Sequence, residues 1–442
     1  MDPCSVPGLD ASQIAAIRHS ARALLPGCAS FLASLIKVDT TNPPGRHYPE
    51  CAALIGDKLV SLGFDVQYID VPPESYGELA PLGEGLPRRN VAARLGGKGD
   101  KTLHVNGHFD VVPAGTLSTW KHDPFGAELE NGRMYGRGSS DMKSGIAAQI
   151  FAVEAVQRAG FKLKGSIEQS GVVDEETTGV RNAGMGFLVE QGFFAPERKI
   201  DAVIITEPLG VNNICFAHRG TLWGTYTFYG RAAHGSMPSL GRNALHHACA
   251  FVHLANTTLG PKLAARRDPT VIPPSAQVAS LAFTVLNSGS NVNTIPDVAS
   301  VQFNRRLVYP ETIEEARKEL RDVLEGMKAM EEFEDMRWEY EESYQTDPAI
   351  APSDAPIVGV LQSAIGLVTG KDAGWVTTPG SDDQRFLVNT LKPPIKATYI
   401  YGPGNLSVIH TSDESIDIEN ELGKGLEVLA LTFASFLGLE DA

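Results

Sequence analysis

Cysteine is scarce. The 442 residues hold five, Cys4, Cys28, Cys51, Cys215 and Cys249, scattered and without CxxC spacing. That excludes a zinc knuckle and a disulfide framework and points to a reducing compartment. Basic residues are the minority charge: 38 Lys and Arg against 53 Asp and Glu give a formal net charge of −15. Nucleic acid and anionic membranes need a basic face, so neither is expected as a partner. No run approaches the roughly 18 apolar residues that cross a bilayer. The opening MDPCSVPGLDASQ lacks the basic-then-apolar order of a secretory signal, and a cytoplasmic protein is expected. Low-complexity tracts and fixed-period repeats are missing as well. What is present is the balance of a folded chain, 43% apolar and 21% charged, long enough for two domains.

Hydrophobic spacing predicts a helix over 11–38 broken at Pro26–Gly27, a loop at TTNPPG (40–45), a helix over 50–63 and a strand over 64–71. An irregular excursion covers 72–90. Strands at 102–108, 164–173 and 201–206 then enclose a helix at 142–160, the rhythm of an α/β layer with a buried sheet. Past Gly220 the order changes to strand 221–230, helix 243–259, strands 275–286 and 299–309, helix 311–327 and strand 336–344. That β-α-β-β-α-β order is a ferredoxin-like unit. Helices at 354–369 and 419–437 and a strand near 395–401 resume the first rhythm. The expected organisation is an α/β domain from 1–218 and 345–442, interrupted by a small domain at 219–344.

Acidic and imidazole residues gather where these strands end. HFD (108–110) follows one strand, Asp141 opens the helix at 142, Asp174, Glu175 and Glu176 follow another strand, and Glu207 a third. Ligands bind at that rim in open α/β sheets. Singly, each has a plain reading: Asp141 as a helix cap, 174–176 as a solvated turn, His108 as a loop histidine, Glu207 as a strand end. Together they would repel one another unless a cation neutralised them, and carboxylates with imidazole suit Zn²⁺, with Co²⁺ or Mn²⁺ as substitutes.

The segments HVNGHFDVVPAG, GRMYGRGSSDMKSGIAA, VVDEETTG, IITEP, GRAAHGSMP, NTIPD and HTSDE, in that order, resemble the metallopeptidase family of acetylornithine deacetylase, succinyl-diaminopimelate desuccinylase, aminoacylase and glutamate carboxypeptidase. The resemblance runs from about residue 30 to about residue 435. It implies an α/β fold, a zinc-peptidase-like catalytic domain carrying an inserted ferredoxin-like lid that often dimerises. It further implies two Zn²⁺ per subunit and hydrolysis of an N-acyl amino acid's amide bond, with a short peptide as the alternative substrate.

Carried over by motif, His108 and Glu207 would complete one metal's set, Glu176 and His410 the other's, and Asp141 would bridge them, with a cis bond to Met142. Asp110 would hold the His108 tautomer, and Glu175 would be the general base. In the small domain His234 would stabilise the oxyanion and Asn293 would touch substrate. Alternation along 299–309 sets Gln302, Asn304 and Arg306 opposite Val301, Phe303 and Leu307, so Arg306 would clamp a substrate carboxylate. In GSDDQRF (380–386) Ser381 is taken as a substrate contact, with Asp382 and Asp383 as alternatives. A homodimer through the lid is expected. Two other classes fit the sequence less well. A metal-retaining binding protein would lack the base or a ligand, and the glycines of YGRGSSDMKSG do not follow the dinucleotide-binding GxGxxG pattern.

Overall fold

In a computed structural model, which describes residues 5–176 and 181–441, the chain divides into two units. Cys4 and Thr177–Gly179 of the VVDEETTG segment lie outside the described residues. The first unit takes 1–217, 350–376 and 382–442; the second takes 218–349 and 377–381. Residues 218, 345–349 and 377–381, expected in the α/β domain, thus go with the second unit.

Six strands of the first unit lie in the order Asp65–Asp70, Arg89–Leu95, Ser166–Val172, Thr102–His108, Ala202–Ile205 and Thr398–Ile400. The last four pair in parallel with one another. Ser166–Val172 and Thr102–His108 are buried at every position, as parallel strands covered on both faces must be. The helix Lys143–Arg158 lies against them, buried from Lys143 to Val156. Gly145 allows its close approach, since a Cβ there would stand 2.1 Å from the Thr206 carbonyl oxygen.

The predicted break at Pro26 is not there: one helix runs Ala11–Ile36 with Pro26 inside it. The proline takes a hydrogen-bond donor from the Arg22 carbonyl, a loss of about 3 kcal/mol. Leu24, Cys28, Leu32 and Leu35 are nonetheless all buried, where the helix packs on Lys143–Arg158 and Lys424–Leu437. At about 1.5–3 kcal/mol per large apolar side chain, that stripe outweighs the missing bond.

The second unit is a four-stranded antiparallel sheet ordered Ser280–Ser288, Val298–Leu307, Gly220–Tyr229 and Arg337–Thr346. Helices Ala244–Thr258 and Ile313–Lys328 complete a βαββαβ chain order. Its core joins Leu222, Tyr226, Phe228, Val301 and Phe303 to Phe251, Leu320 and Leu324 of the helices. The strand predicted from 275 begins later than the sequence suggested, at Ser280, because Pro273 and Pro274 lead into a 3₁₀ turn over Pro274–Ala276.

Candidate metal centre

The four parallel strands deliver their following residues to one rim. His108 ends its strand, Asp110 follows it, and Glu175 and Glu176 lie beyond Val172. Glu207 stands just past Ile205, and Asp141 lies just ahead of the helix Lys143–Arg158. His410 arrives on the loop after Thr398–Ile400. The Asp141–Met142 bond is cis.

Asp141 sits between two imidazoles. Its Oδ1 is 3.2 Å from His108 Nε2, and its Oδ2 is 3.3 Å from His410 Nε2. His108 Nε2 is also 3.5 Å from Glu207 Oε1, and His410 Nε2 is 3.2 Å from Glu176 Oε1. Donor atoms around a tetrahedral zinc, with bonds of about 2.0–2.1 Å, stand about 3.3 Å apart. Donor atoms of His108, Asp141 and Glu176 lie within 4.8 Å of one another, close enough to hold a metal ion. Glu175 is near enough to join: one of its oxygens lies within 4.8 Å of donor atoms of His108 and Glu207.

The electrostatics fit a cation at the same place. His108 Nδ1 lies 3.0 Å from the Asp110 carbonyl oxygen and 3.4 Å from its carboxylate. Donation from Nδ1 turns the Nε2 lone pair toward Asp141 and Glu207. Burial disfavours a charged His108, yet Glu207, Asp110 and Asp141 push its pKa well above the ordinary value. Burial, with neighbouring carboxylates adding to it, raises Glu175 and Glu207 far above the usual carboxyl range. Bonds to Asp141 and Glu176 raise His410 to about 10. Left to themselves these groups must take up protons; divalent cations would relieve the same crowding.

A layer of contacts not anticipated from the sequence holds the rim. Asp110 accepts from Asn42 Nδ2 at 2.9 Å and from the main-chain N–H groups of Glu175 and Glu176 at 3.2 and 3.1 Å. Asp174, at φ 57°, accepts from the Tyr48 hydroxyl at 2.7 Å and from Arg88 Nε at 3.0 Å. Arg88 is itself buried and donates to the Leu86 and Pro44 carbonyls. Asn42, Tyr48 and Arg88 come from polar or irregular stretches without periodicity, so only the fold reveals them. Of the two alternatives to Ser381, Asp383 accepts from Asn106 Nδ2 at 3.3 Å and Asp382 from the Gln384 N–H at 2.8 Å, and both are buried.

In the second unit the remaining candidates form two groups. Asn293 Nδ2 lies 3.1 Å from His234 Nε2, and the other nitrogen of His234 meets the Ser236 hydroxyl. Arg306 donates to Thr221 Oγ1 at 2.9 Å and to Asn304 Oδ1 at 3.0 Å, and lies over the Trp223 ring. Trp223 contacts the Tyr344 ring, whose hydroxyl is 2.8 Å from Ser381 Oγ. Neighbouring Arg305 is buried and pairs with Glu311 and Glu319. Arg306 pairs with no carboxylate among the described residues.

Comparison with known proteins agrees with this architecture. The model of peptidase family M20/M25/M40 matches residues 104–435. The chain is 31% identical over 394 residues to a succinyl-diaminopimelate desuccinylase of Nitrosospira multiformis, covering 88% of this chain and 93% of that one. It is 32% identical over 383 residues to the desuccinylase of Acidovorax ebreus, covering 84% and 89%. Among solved structures it is similar to human carnosine dipeptidase 1, with TM-score 0.72 and 18% identity over 96% of this chain and 98% of that one. An M20 family metallo-carboxypeptidase from Sulfolobus solfataricus superposes with TM-score 0.70 and 18% identity, over 92% and 98%. No helix among the described residues is long and apolar enough to cross a membrane. With its fold, its metal-fitting cluster and these relatives, the chain belongs to peptidase family M20/M25/M40, metal-dependent hydrolases of amide and peptide bonds.

Proposed function

We propose that the protein hydrolyses the amide bond of an N-acyl amino acid, in the manner of acetylornithine deacetylase and succinyl-diaminopimelate desuccinylase, using two Zn²⁺ per chain. The observation that carries the reading is the Asp141 carboxylate, with one oxygen toward His108 and the other toward His410. His108, Asp141 and Glu207 would hold one ion, and His410, Asp141 and Glu176 the other. Bound there, the metal pair would polarise the scissile carbonyl and lower the pKa of water.

The chain's own groups would do the rest. Glu175 takes a proton from the attacking water and passes it to the leaving amine nitrogen. Its neighbour Glu176 points elsewhere, because successive residues project in different directions. Asp110 keeps His108 in the tautomer that donates from Nδ1. Arg306 clamps the substrate carboxylate with two parallel N–H donors, Ser381 and Asn293 touch the substrate, and His234 stabilises the tetrahedral oxyanion. The inserted unit, 219–344, serves as a lid through which two copies dimerise. The enzyme works in the cytoplasm, with Cys28, Cys51 and Cys249 as free thiols.

The test joins metal analysis of the purified protein to a mass-spectrometric panel of N-acetyl, N-succinyl and longer-acyl amino acids alongside dipeptides. Two zinc per chain and fastest release of a free acid from an N-acyl amino acid are expected. Faster turnover of dipeptides would move the assignment to a dipeptidase or carboxypeptidase. Metal uptake without turnover of any amide would leave a binding protein.

A further inference from the structure

We infer that Glu414 is a positioning residue that registers the Asp141 side of the metal centre against the His410 side; the inference rests on the two-zinc reading above. The two sides come from distant parts of the chain. They are joined first by a short ladder, in which Ser415–Asp417 pairs antiparallel with Arg133–Tyr135 and Ser415 faces Tyr135. Just past the ladder the Gly136 N–H donates to the Glu414 carbonyl at 2.9 Å. From that point one strand of chain runs on to Asp141 and the other runs back to His410.

The Glu414 side chain fills the fork between them and is fully buried. Its Oε1 accepts from the N–H groups of both Ser140 and Asp141, each at 2.9 Å. Its Oε2 accepts from Arg137 Nη1 at 2.6 Å, and the Arg137 guanidinium lies over the Trp120 ring. One side chain thus fixes the main chain of Asp141 from a residue four positions beyond His410. Three donors converge on it, so both of its oxygens must accept. An amide has one acceptor oxygen and would turn an N–H against Arg137, so only a carboxylate satisfies the fork. A second contact across the same gap, from the Asn405 N–H to Ser140 Oγ at 2.9 Å, ties the later loop to the residue before Asp141. Because Asp141 faces both histidines, a small displacement of its main chain would disturb both ligand sets at once.

The experiment compares wild type, Glu414→Ala and Glu414→Gln as metal-free proteins. Each is titrated with zinc against a chromophoric chelator and melted without metal. Expected is a roughly 10–100-fold weaker zinc affinity in the folded variants, the usual scale for losing a group that orients metal ligands. Glu427→Gln serves as the control for lost stability alone, since Glu427 pairs with Arg18 and Arg22. It should melt earlier with zinc affinity unchanged. Zinc affinity within twofold of wild type in folded Glu414→Ala overturns the inference. If that variant does not accumulate as folded protein, Glu414→Gln, of the same size, is read by the same criterion. A wild type that takes up no zinc overturns the metal reading itself, an outcome distinct from wild type and variant binding alike.

Discussion

His410 Nε2 stands 3.3 Å from Asp141 Oδ2, although the whole of the second unit lies between them in sequence. The carboxylate's other oxygen faces His108, so one side chain serves both ligand sets. Asp141→Ala should therefore lower zinc content to below one per chain and remove turnover. Elemental analysis and an activity assay on the same preparation check both. Retention of two zinc would take Asp141 out of the bridging role.

Glu175→Gln separates base from ligand. As the proton carrier, its loss should cost roughly 10²–10⁴-fold in kcat with zinc content unchanged. Because Glu175 also comes within 4.8 Å of His108 and Glu207 donor atoms, a parallel fall in zinc would make it a ligand instead.

Arg306 pairs with no carboxylate among the described residues, whereas Arg305 is bound to Glu311 and Glu319. If Arg306 reads the substrate's carboxylate, amidating that group should raise KM strongly for wild type and little for Arg306→Ala. Equal effects on both proteins would return Arg306 to a purely structural place on its strand.

Arg88 and Asp174 form a buried ion pair, each with about 1% of its side chain exposed. Arg88→Met leaves the carboxylate without that partner, and breaking such a pair costs about 3–5 kcal/mol. Urea unfolding should show the loss. Activity should fall too, since Asp174 precedes Glu175. A midpoint unchanged from wild type would count against this accounting.

Burial alone would raise the Glu168 carboxyl, but His104 and Arg198 hold it down at about 2, against an ordinary 4.5. A carboxyl lowered in the folded state adds stability above its unfolded pKa and loses it as pH falls through the folded one. Between pH 5 and pH 2.5 the wild type should lose a component of stability that Glu168→Gln lacks. Parallel urea midpoints over that range would contradict it.

Much of the fold was legible because its signals are local. The continuous apolar run around Ile204 and the alternation through Leu222, Tyr226 and Phe228 mark buried strands from sequence alone. Alternation likewise separates Arg305 from Arg306. The helix through Pro26 was not legible, since its continuity depends on partners far along the chain. Nor were the supports of the centre. Asn42 and Arg88 lie in segments without a pattern, and Glu414 looks like any acidic residue after a histidine until Ser140 and Asp141 are seen to point their N–H groups at it.

Lys143, two residues beyond Asp141, is fully buried, and its ammonium donates to the Leu35 and Val38 carbonyls, each at 2.9 Å. The end of the first long helix is thereby moored beside the reaction centre rather than merely packed on the outside of the domain. Trimming the front of this protein, or loosening that helix with a fusion, should be felt in catalysis before it is felt in solubility.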